Sequence, residues 1–247
     1  LDRRRDHLYT YDLATGETVH ITLGDFDDSQ PAWAPDGETI AFVSNRSDNP
    51  DDNFDTNIWV VDADNTNRGA DLVQVTANAG PDHSPTWSPD GRRIAYLTET
   101  DPSHAPYDLA KVAVMELGGR GSILTENLDR GASDPMFGPD GSQVYFQVDD
   151  SGERHLAMVP TEGGQVTRVI QGPRSVDAVT LAGDGTIVAL VAAVHEPGNL
   201  FLLERGGELR KLTRNNDEML ASIELAEVEN VHFPSADGTE IEGFVFK

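Results

Sequence analysis

Short apolar runs and turn residues alternate along the whole chain. One pattern occurs four times: a bulky residue, an Asp-Gly turn, and a β-branched, aliphatic or aromatic run. The four copies span residues 29–43, 84–97, 133–148 and, in a degenerate form, 179–190. Pro presets the backbone for a turn, and Gly tolerates positive φ, so Pro-Asp-Gly between two such runs predicts a β-hairpin.

Two further apolar runs follow each predicted hairpin. The third runs cover residues 57–61, 111–115, 155–159 and 199–203, and the fourth cover 72–76, 122–125, 166–170 and 209–213. The Asp-Gly pairs are 54, 50 and 44 residues apart. Four strands in a repeat of this length are typical of a propeller blade. We therefore predict an all-β fold, a β-propeller of four-stranded antiparallel blades.

About four and a half blades are predicted: a half blade over 1–28 and blades at about 29–80, 81–130, 131–174 and 175–215. The second strands are apolar at successive positions, as in 40–43, which predicts sheets covered on both faces. Trp33, Trp87 and Phe137 share one repeat position, so we predict that they pack between blades. The only weak helical candidate is 216–227.

Charge excludes several kinds of partner. The chain has 43 acidic and 18 basic residues, a net charge of −25, which would repel phosphate backbones and anionic lipid. We expect no nucleic-acid and no membrane partner. The longest apolar run, 187–194, is far shorter than the roughly 20 residues of a membrane span. The absence of cysteine excludes a disulfide scaffold, a thiolate nucleophile and Cys-ligated zinc.

Candidate site chemistry is sparse. The seven histidines lie in no recognisable motif, so we expect no catalytic residue among them. Asp51, Asn53, Asp55 and Asn57 alternate like the start of a calcium loop, but Thr56 stands where an EF-hand needs Gly. We favour a solvated loop between the second and third strands over a calcium site. We expect no metal and no cofactor, and the sequence assigns no substrate-binding residues.

The hairpin motif Pro-x-Trp-Ser-Pro-Asp-Gly, followed by Ile-Ala-Tyr, resembles the propeller repeat shared by TolB-like proteins and prolyl oligopeptidase-family peptidases. The segments 199–203, 209–215, 227–229 and 233–247 resemble the junction in the acylaminoacyl-peptidase branch of that family. This resemblance implies a partial propeller over 1–222. It also implies that 223–247 are a linker and the first hairpin of an α/β-hydrolase domain.

The family's propeller has seven blades, and its serine nucleophile lies in a Gly-x-Ser-x-Gly motif that these 247 residues lack. The resemblance implies an internal fragment of a serine peptidase, without activity of its own, that gates and positions peptide substrates. Its partners would be peptides and its own hydrolase domain. The expected location is the cytoplasm, and a periplasmic one stays open because the sequence begins at Leu1. The alternative function is a TolB-like protein-interaction module without chemistry.

The tail also admits a second interpretation. Residues 233–245 resemble a blade's first hairpin, which the N-terminal half blade lacks, so pairing the two would close a five-bladed ring. Glu242 and Gly243 stand where complete blades have apolar residues. We therefore favour an incomplete propeller with its tail outside the blades.

Overall fold

The computed structural model describes residues 4–64, 67, 69–78, 80–101, 103 and 107–247. Two strands come first, β1 (Tyr9–Tyr11) and β2 (Thr18–His20), and they pair with each other. Blade 1 comprises β3 (Asp28–Trp33), β4 (Thr39–Ser44), β5 (Asn57–Asp62) and β6 (Val73–Gln74). Blade 2 comprises β7 (Asp82–Trp87), β8 (Arg93–Thr98), β9 (Lys111–Glu116) and β10 (Gly121–Ile123). Each blade is an antiparallel sheet in chain order, as predicted.

The second half of the chain follows the same strand order, but one parallel pair, Arg154 with Ser175, joins its two blades into a single sheet. Blade 3 comprises β11 (Ala132–Phe137), β12 (Gln143–Asp150), β13 (Glu153–Pro160) and β14 (Thr167–Ile170). Blade 4 comprises β15 (Ser175–Leu181), β16 (Ile187–Ala193), β17 (Glu196–Leu203) and β18 (Leu209–Lys211). The helical candidate is a single turn, α1 (Asp217–Leu220). Among the described residues, the structure has no helix with the length and apolar character that a membrane span requires.

The chain divides into two compact units. Unit 1 is Leu1–Val148 with Ala157–Thr167, which includes β1, β2, blades 1 and 2 and most of the first three strands of blade 3. Unit 2 is Asp149–Leu156 with Arg168–Lys247, which includes the tip of the β12–β13 hairpin, blade 4 and the tail.

The core of unit 1 lies between successive blades. Ile40 and Phe42 of β4 belong to a cluster with Leu8 and Ile21 of the half blade. Ala41 and Val43 of the same strand belong to a second cluster, which includes residues of blade 2. Alternate side chains of one strand thus point to opposite faces, and both faces are covered. This explains the unbroken apolar run in the sequence.

The aromatic series is only partly buried, which corrects one prediction. Trp87 and Phe137 are buried in the clusters of blades 1–2 and 2–3, whereas Trp33 is 53% exposed. Each buried ring packs against residues of the preceding blade. The described half blade covers Ile40 and Phe42 with two short strands, and this leaves the Trp33 indole largely in solvent.

A β-bulge recurs at the start of the first strand in blades 1 to 3. In each blade the strand register shifts at this point. The shift includes a non-glycine residue with positive φ, and a proline follows that residue directly. These residues are Gln30 (φ 49°), Ser84 (φ 55°) and Asp134 (φ 48°). Proline cannot donate to a strand ladder, so edge strands and bulges are where a sheet tolerates it. The Gln30 amide oxygen accepts the Ser84 N–H at 2.6 Å, which links the bulges of β3 and β7.

The tail forms a sheet of its own. β19 (Val228–Pro234) and β20 (Glu240–Phe246) pair antiparallel around the Asp237-Gly238 turn. They form a two-stranded sheet and not part of a four-stranded blade. That this hairpin begins a hydrolase domain stays a prediction.

Candidate functional site

A cavity of about 710 Å³ lies within unit 2, where two strand turns approach the tail hairpin. One wall is the β12–β13 turn, in which Ser151 (φ 54°) and Gly152 (φ 77°) both adopt positive φ. This two-residue turn matches the twist of a β-hairpin. The other walls are the segment before β15, the β16–β17 turn and the inner side of β19–β20.

The tail hairpin packs closely against these turns. A Cβ at Gly152 would lie 2.8 Å from the Phe244 ring, so a larger residue there would displace the ring. The His195 imidazole Nε2 lies 2.7 Å from the carbonyl oxygen of Ala226, just before β19. Both contacts fix the hairpin at the rim of the cavity.

Much of the cavity lining is apolar, and charges of both signs lie along it. Pro173, Ala192, Ala193, Val194, Val228 and Phe244 supply apolar surface. The Glu153 carboxylate lies 2.9 Å from His155 Nε2, and the Glu196 carboxylate forms an ion pair with Lys211. Ser175 donates its hydroxyl proton to Asp177 at 2.6 Å. The cavity therefore offers binding chemistry, an apolar surface with fixed charges, and no activated nucleophile among these groups.

The four calcium-loop candidates lie in the β4–β5 loop and at the start of β5, and each contacts protein groups. Asp51 accepts two bonds from the Arg5 guanidinium, at 2.7 and 2.9 Å, which hold the pKa of Asp51 below its ordinary value. The Asn53 oxygen accepts from Asn45 at 2.8 Å, and Asp55 accepts from the Asn57 amide at 3.0 Å. Within the described ranges, no three His, Asp or Glu side chains are arranged to hold a metal ion.

Six of the seven histidines lie in the described residues, and His104 lies outside them. Their side chains contact Asp28 (His7), Tyr9 (His20), Ser84 (His83), Glu153 (His155), Ala226 (His195) and Glu240 (His232).

His83 lies between a serine and a carboxylate. Its Nδ1 is 3.1 Å from Ser84 Oγ, but its Nε2 is 3.9 Å from Glu99, which is too long for an orienting hydrogen bond. Burial lowers the pKa of His83. We assign no catalytic role to this pair.

Sequence reasoning did not find the cavity, because its walls come from segments up to about ninety residues apart. Two sequence features could have indicated it. The Ser151-Gly152 dipeptide and the short 193–196 turn mark strand ends on one edge of two consecutive blades.

No protein-family model matches the chain. Over 121 residues it is 31% identical to a Bacillus subtilis (strain 168) protein named uncharacterized peptidase YuxL, across 49% of this chain and 17% of that protein. Over 211 residues it is 22% identical to dipeptidyl-peptidase 5 of Porphyromonas gingivalis, across 84% of this chain and 30% of that protein. The matched regions thus span less than a third of the length of these relatives.

Solved structures also share the fold. A puromycin hydrolase matches with a TM-score of 0.67 at 15% identity, over 98% of this chain and 47% of that one. A putative TolB from Agrobacterium tumefaciens matches with a TM-score of 0.65 at 19% identity, over 85% of this chain and 74% of that one. The fold is thus that of a β-propeller portion, and the peptidase relatives support its resemblance to the propeller portion of prolyl oligopeptidase-family peptidases.

Proposed function

We propose that this propeller portion is non-catalytic and that it gates and positions peptide substrates for the catalytic domain of a serine peptidase. The observation that carries the proposal is the match of 84% of this chain to only 30% of a dipeptidyl-peptidase 5. Such coverage is expected if the chain is a propeller-sized part of a larger peptidase. The chemistry of the family, with its Ser, His and Asp, would be supplied outside these 247 residues.

The cavity in unit 2 supports a positioning role. Its apolar walls can take a peptide side chain, and the charged groups Glu153, Arg174 and Glu196 can meet the polar backbone. It lies beside β19–β20, the segment that the family resemblance assigns to the start of the hydrolase.

The test of positioning uses the full-length gene product and short chromogenic peptides. We expect Val194→Trp, which narrows the cavity, to raise KM with a smaller effect on kcat. The matched control is Val73→Trp on β6, because Val73 is equally exposed (57% against 58%) and does not line the cavity. Equal kinetics in the two variants would contradict a positioning role for the cavity.

The test of gating compares one peptide sequence in two forms, free and inserted in a rigid loop of a folded host protein. We expect rapid cleavage of the free form, little cleavage of the inserted form, and loss of activity with a serine-directed inhibitor. Equal cleavage of both forms would contradict gating. The 247-residue chain alone should show no turnover, since it encodes no Gly-x-Ser-x-Gly nucleophile.

The second candidate is a TolB-like interaction module, which the fold likeness over 74% of a putative TolB favours. The parent gene beyond Lys247 separates the two functions. A Gly-x-Ser-x-Gly motif within an α/β-hydrolase pattern supports the peptidase, and a reading frame without one supports the interaction module.

A further inference from the structure

Blades 1 and 2 correspond residue by residue at an offset of 54. Asp28 and Asp82 begin β3 and β7, and each pairs with the last residue of the following strand, Ser44 or Thr98. The next loops are of equal length, since β5 and β9 begin at Asn57 and Lys111. The two blades can therefore be compared position by position.

In blade 1, a cation from the same blade occupies the space beside Asp28. The Arg46 guanidinium donates to Asp28 Oδ1 at 2.6 Å, with Asp28 wholly buried and Arg46 11% exposed. His7 Nδ1 lies 3.3 Å from the second oxygen. The guanidinium carbon lies 5.7 Å from the Phe42 ring centroid and 5.5 Å from that of Trp59, within cation–π range.

Blade 2 has an aspartate at the position of Asp28 but no arginine at the position of Arg46. Asp82 is 0% exposed, but the residue equivalent to Arg46 is Thr100, and Trp59 is replaced by Ala113. Asn78 donates to Asp82 Oδ1 at 2.7 Å, whereas Asp82 Oδ2 is buried without a hydrogen-bond partner. A buried carboxylate without a counter-charge is costly, and burial raises the pKa of Asp82.

A cavity of about 310 Å³ lies at this position, lined by Asn78, Asp82, Tyr96, Thr98 and Thr100 among others. We call it the blade 2 socket. Tyr96, the counterpart of Phe42, keeps an aromatic ring on its wall, and the exposed Thr100 adds a hydroxyl acceptor, whereas the buried Thr98 hydroxyl already accepts from Asn78 at 2.6 Å. Of the groups that surround the guanidinium in blade 1, blade 2 keeps the buried carboxylate and one aromatic ring, whereas Phe26 corresponds to Gly80 and Trp59 to Ala113.

We propose that the blade 2 socket binds a guanidinium group, supplied by a free small molecule or by the arginine side chain of a peptide. The cation pairs with Asp82, stacks on Tyr96 and donates to the hydroxyl of Thr100. A planar guanidinium suits this set because it offers several donors and stacks on aromatic rings. This site does not depend on the proposed peptidase function.

The test is calorimetric titration of the 247-residue chain with N-methylguanidinium chloride. Controls are N-methylurea, which is neutral and of similar shape, and NaCl at equal ionic strength. We expect saturable binding of the cation alone. Binding should be lost in Asp82→Asn and unchanged in Asp62→Asn, which removes an exposed carboxylate from blade 1.

A variant that places an arginine in the socket tests the same site independently. Thr100→Arg restores in blade 2 the residue that blade 1 has, so we expect a higher melting temperature and no binding of N-methylguanidinium. No saturable binding to the wild type, or binding that persists in both Asp82→Asn and Thr100→Arg, would overturn the proposal. If Asp82→Asn does not fold, Thr100→Arg decides alone.

A last titration separates the two sources of the group. Comparable affinity for N-methylguanidinium and for an arginine flanked by alanines supports recognition of peptide side chains. Binding of the small cation alone supports a site for free guanidines.

Discussion

The indole Nε1 of Trp87 donates to the carbonyl oxygen of Ala32 at 3.0 Å, which joins β7 of blade 2 to β3 of blade 1. Trp87 is 8% exposed, whereas Trp33, at the same repeat position one blade earlier, is 53% exposed. The two tryptophans occupy the same repeat position but should differ in their contribution to stability. The aromatic residue of a blade is buried only where the preceding blade covers it.

Replacing each tryptophan with phenylalanine tests this difference. Trp87→Phe removes the donor to Ala32 and leaves a gap in the cluster, so we expect a loss of about 1–3 kcal/mol of unfolding free energy. Trp33→Phe, the matched control, should change it by no more than about 0.5 kcal/mol. Urea denaturation monitored by circular dichroism measures both. Equal losses would show that both indoles pack alike in solution.

The second prediction concerns the contribution of the Asp28–Arg46 ion pair to the free energy of unfolding. Arg46→Met keeps most of the side-chain volume but leaves Asp28 buried without its cation, which should cost about 3–5 kcal/mol. Arg210→Met removes a half-exposed ion pair with Glu204 and should cost less than about 1 kcal/mol. The denaturant midpoints of the two variants decide the question, and similar midpoints would contradict a buried pair at Asp28.

The sequence predicted the fold well and the site poorly, for physical reasons. The Asp36-Gly37 turn and the run after it are local signals, so the β3–β4 hairpin could be predicted from neighbouring residues alone. The exposure of Trp33 depends on how much of the preceding blade covers it. The contact of Phe244 with Gly152 joins residues far apart in sequence, and no local pattern encodes it.

Acid should destabilise the chain through its turn aspartates. The pKa values of Asp90, Asp140, Asp184 and Asp237 lie below the ordinary value, that of Asp237 at about 2. For Asp140 the main cause is the Ser142 N–H, which donates at 2.9 Å. Because folding lowers these pKa values, their stabilisation is present above the unfolded value and is lost as pH falls through the folded one.

We therefore expect the urea midpoint to fall between about pH 5 and about pH 2. In Asp140→Asn the amide oxygen still accepts from Ser142 without titrating, so the decline should be shallower than in the wild type. An identical pH dependence in the two proteins would show that the Asp140 turn does not favour the ionised form.

Salt should stabilise the folded chain. Its net charge is −25, and the excess carboxylates repel one another in the compact state. Raising NaCl from about 0.01 M to about 1 M shortens the Debye length from about 30 Å to about 3 Å. The melting temperature measured by calorimetry should rise markedly across this range. Sucrose is the control for effects that do not involve charge. A flat salt response would show that ion pairs already neutralise the surface locally.

The contact between Gly152 and Phe244 makes the last prediction. Gly152→Ala places a Cβ 2.8 Å from the Phe244 ring, so the ring must move, and we expect the tail hairpin that carries it to loosen. Gly207→Ala is the matched control, because Gly207 has a similar φ (84° against 77°) and open space around it. Both variants carry the backbone cost of alanine at positive φ, about 1–2 kcal/mol. Only Gly152→Ala should also reduce the hydrogen-exchange protection of β19 and β20.

A double-mutant cycle isolates this contact from the backbone cost. In Phe244→Ala the ring is absent, so adding Gly152→Ala should lower protection less than it does in the wild type, by the energy of the clash. Additive effects, or an equal loss of hairpin protection in Gly207→Ala, would show that Phe244 does not rest on the β12–β13 turn. The tail hairpin would then be held at the cavity by the His195 contact with the Ala226 carbonyl.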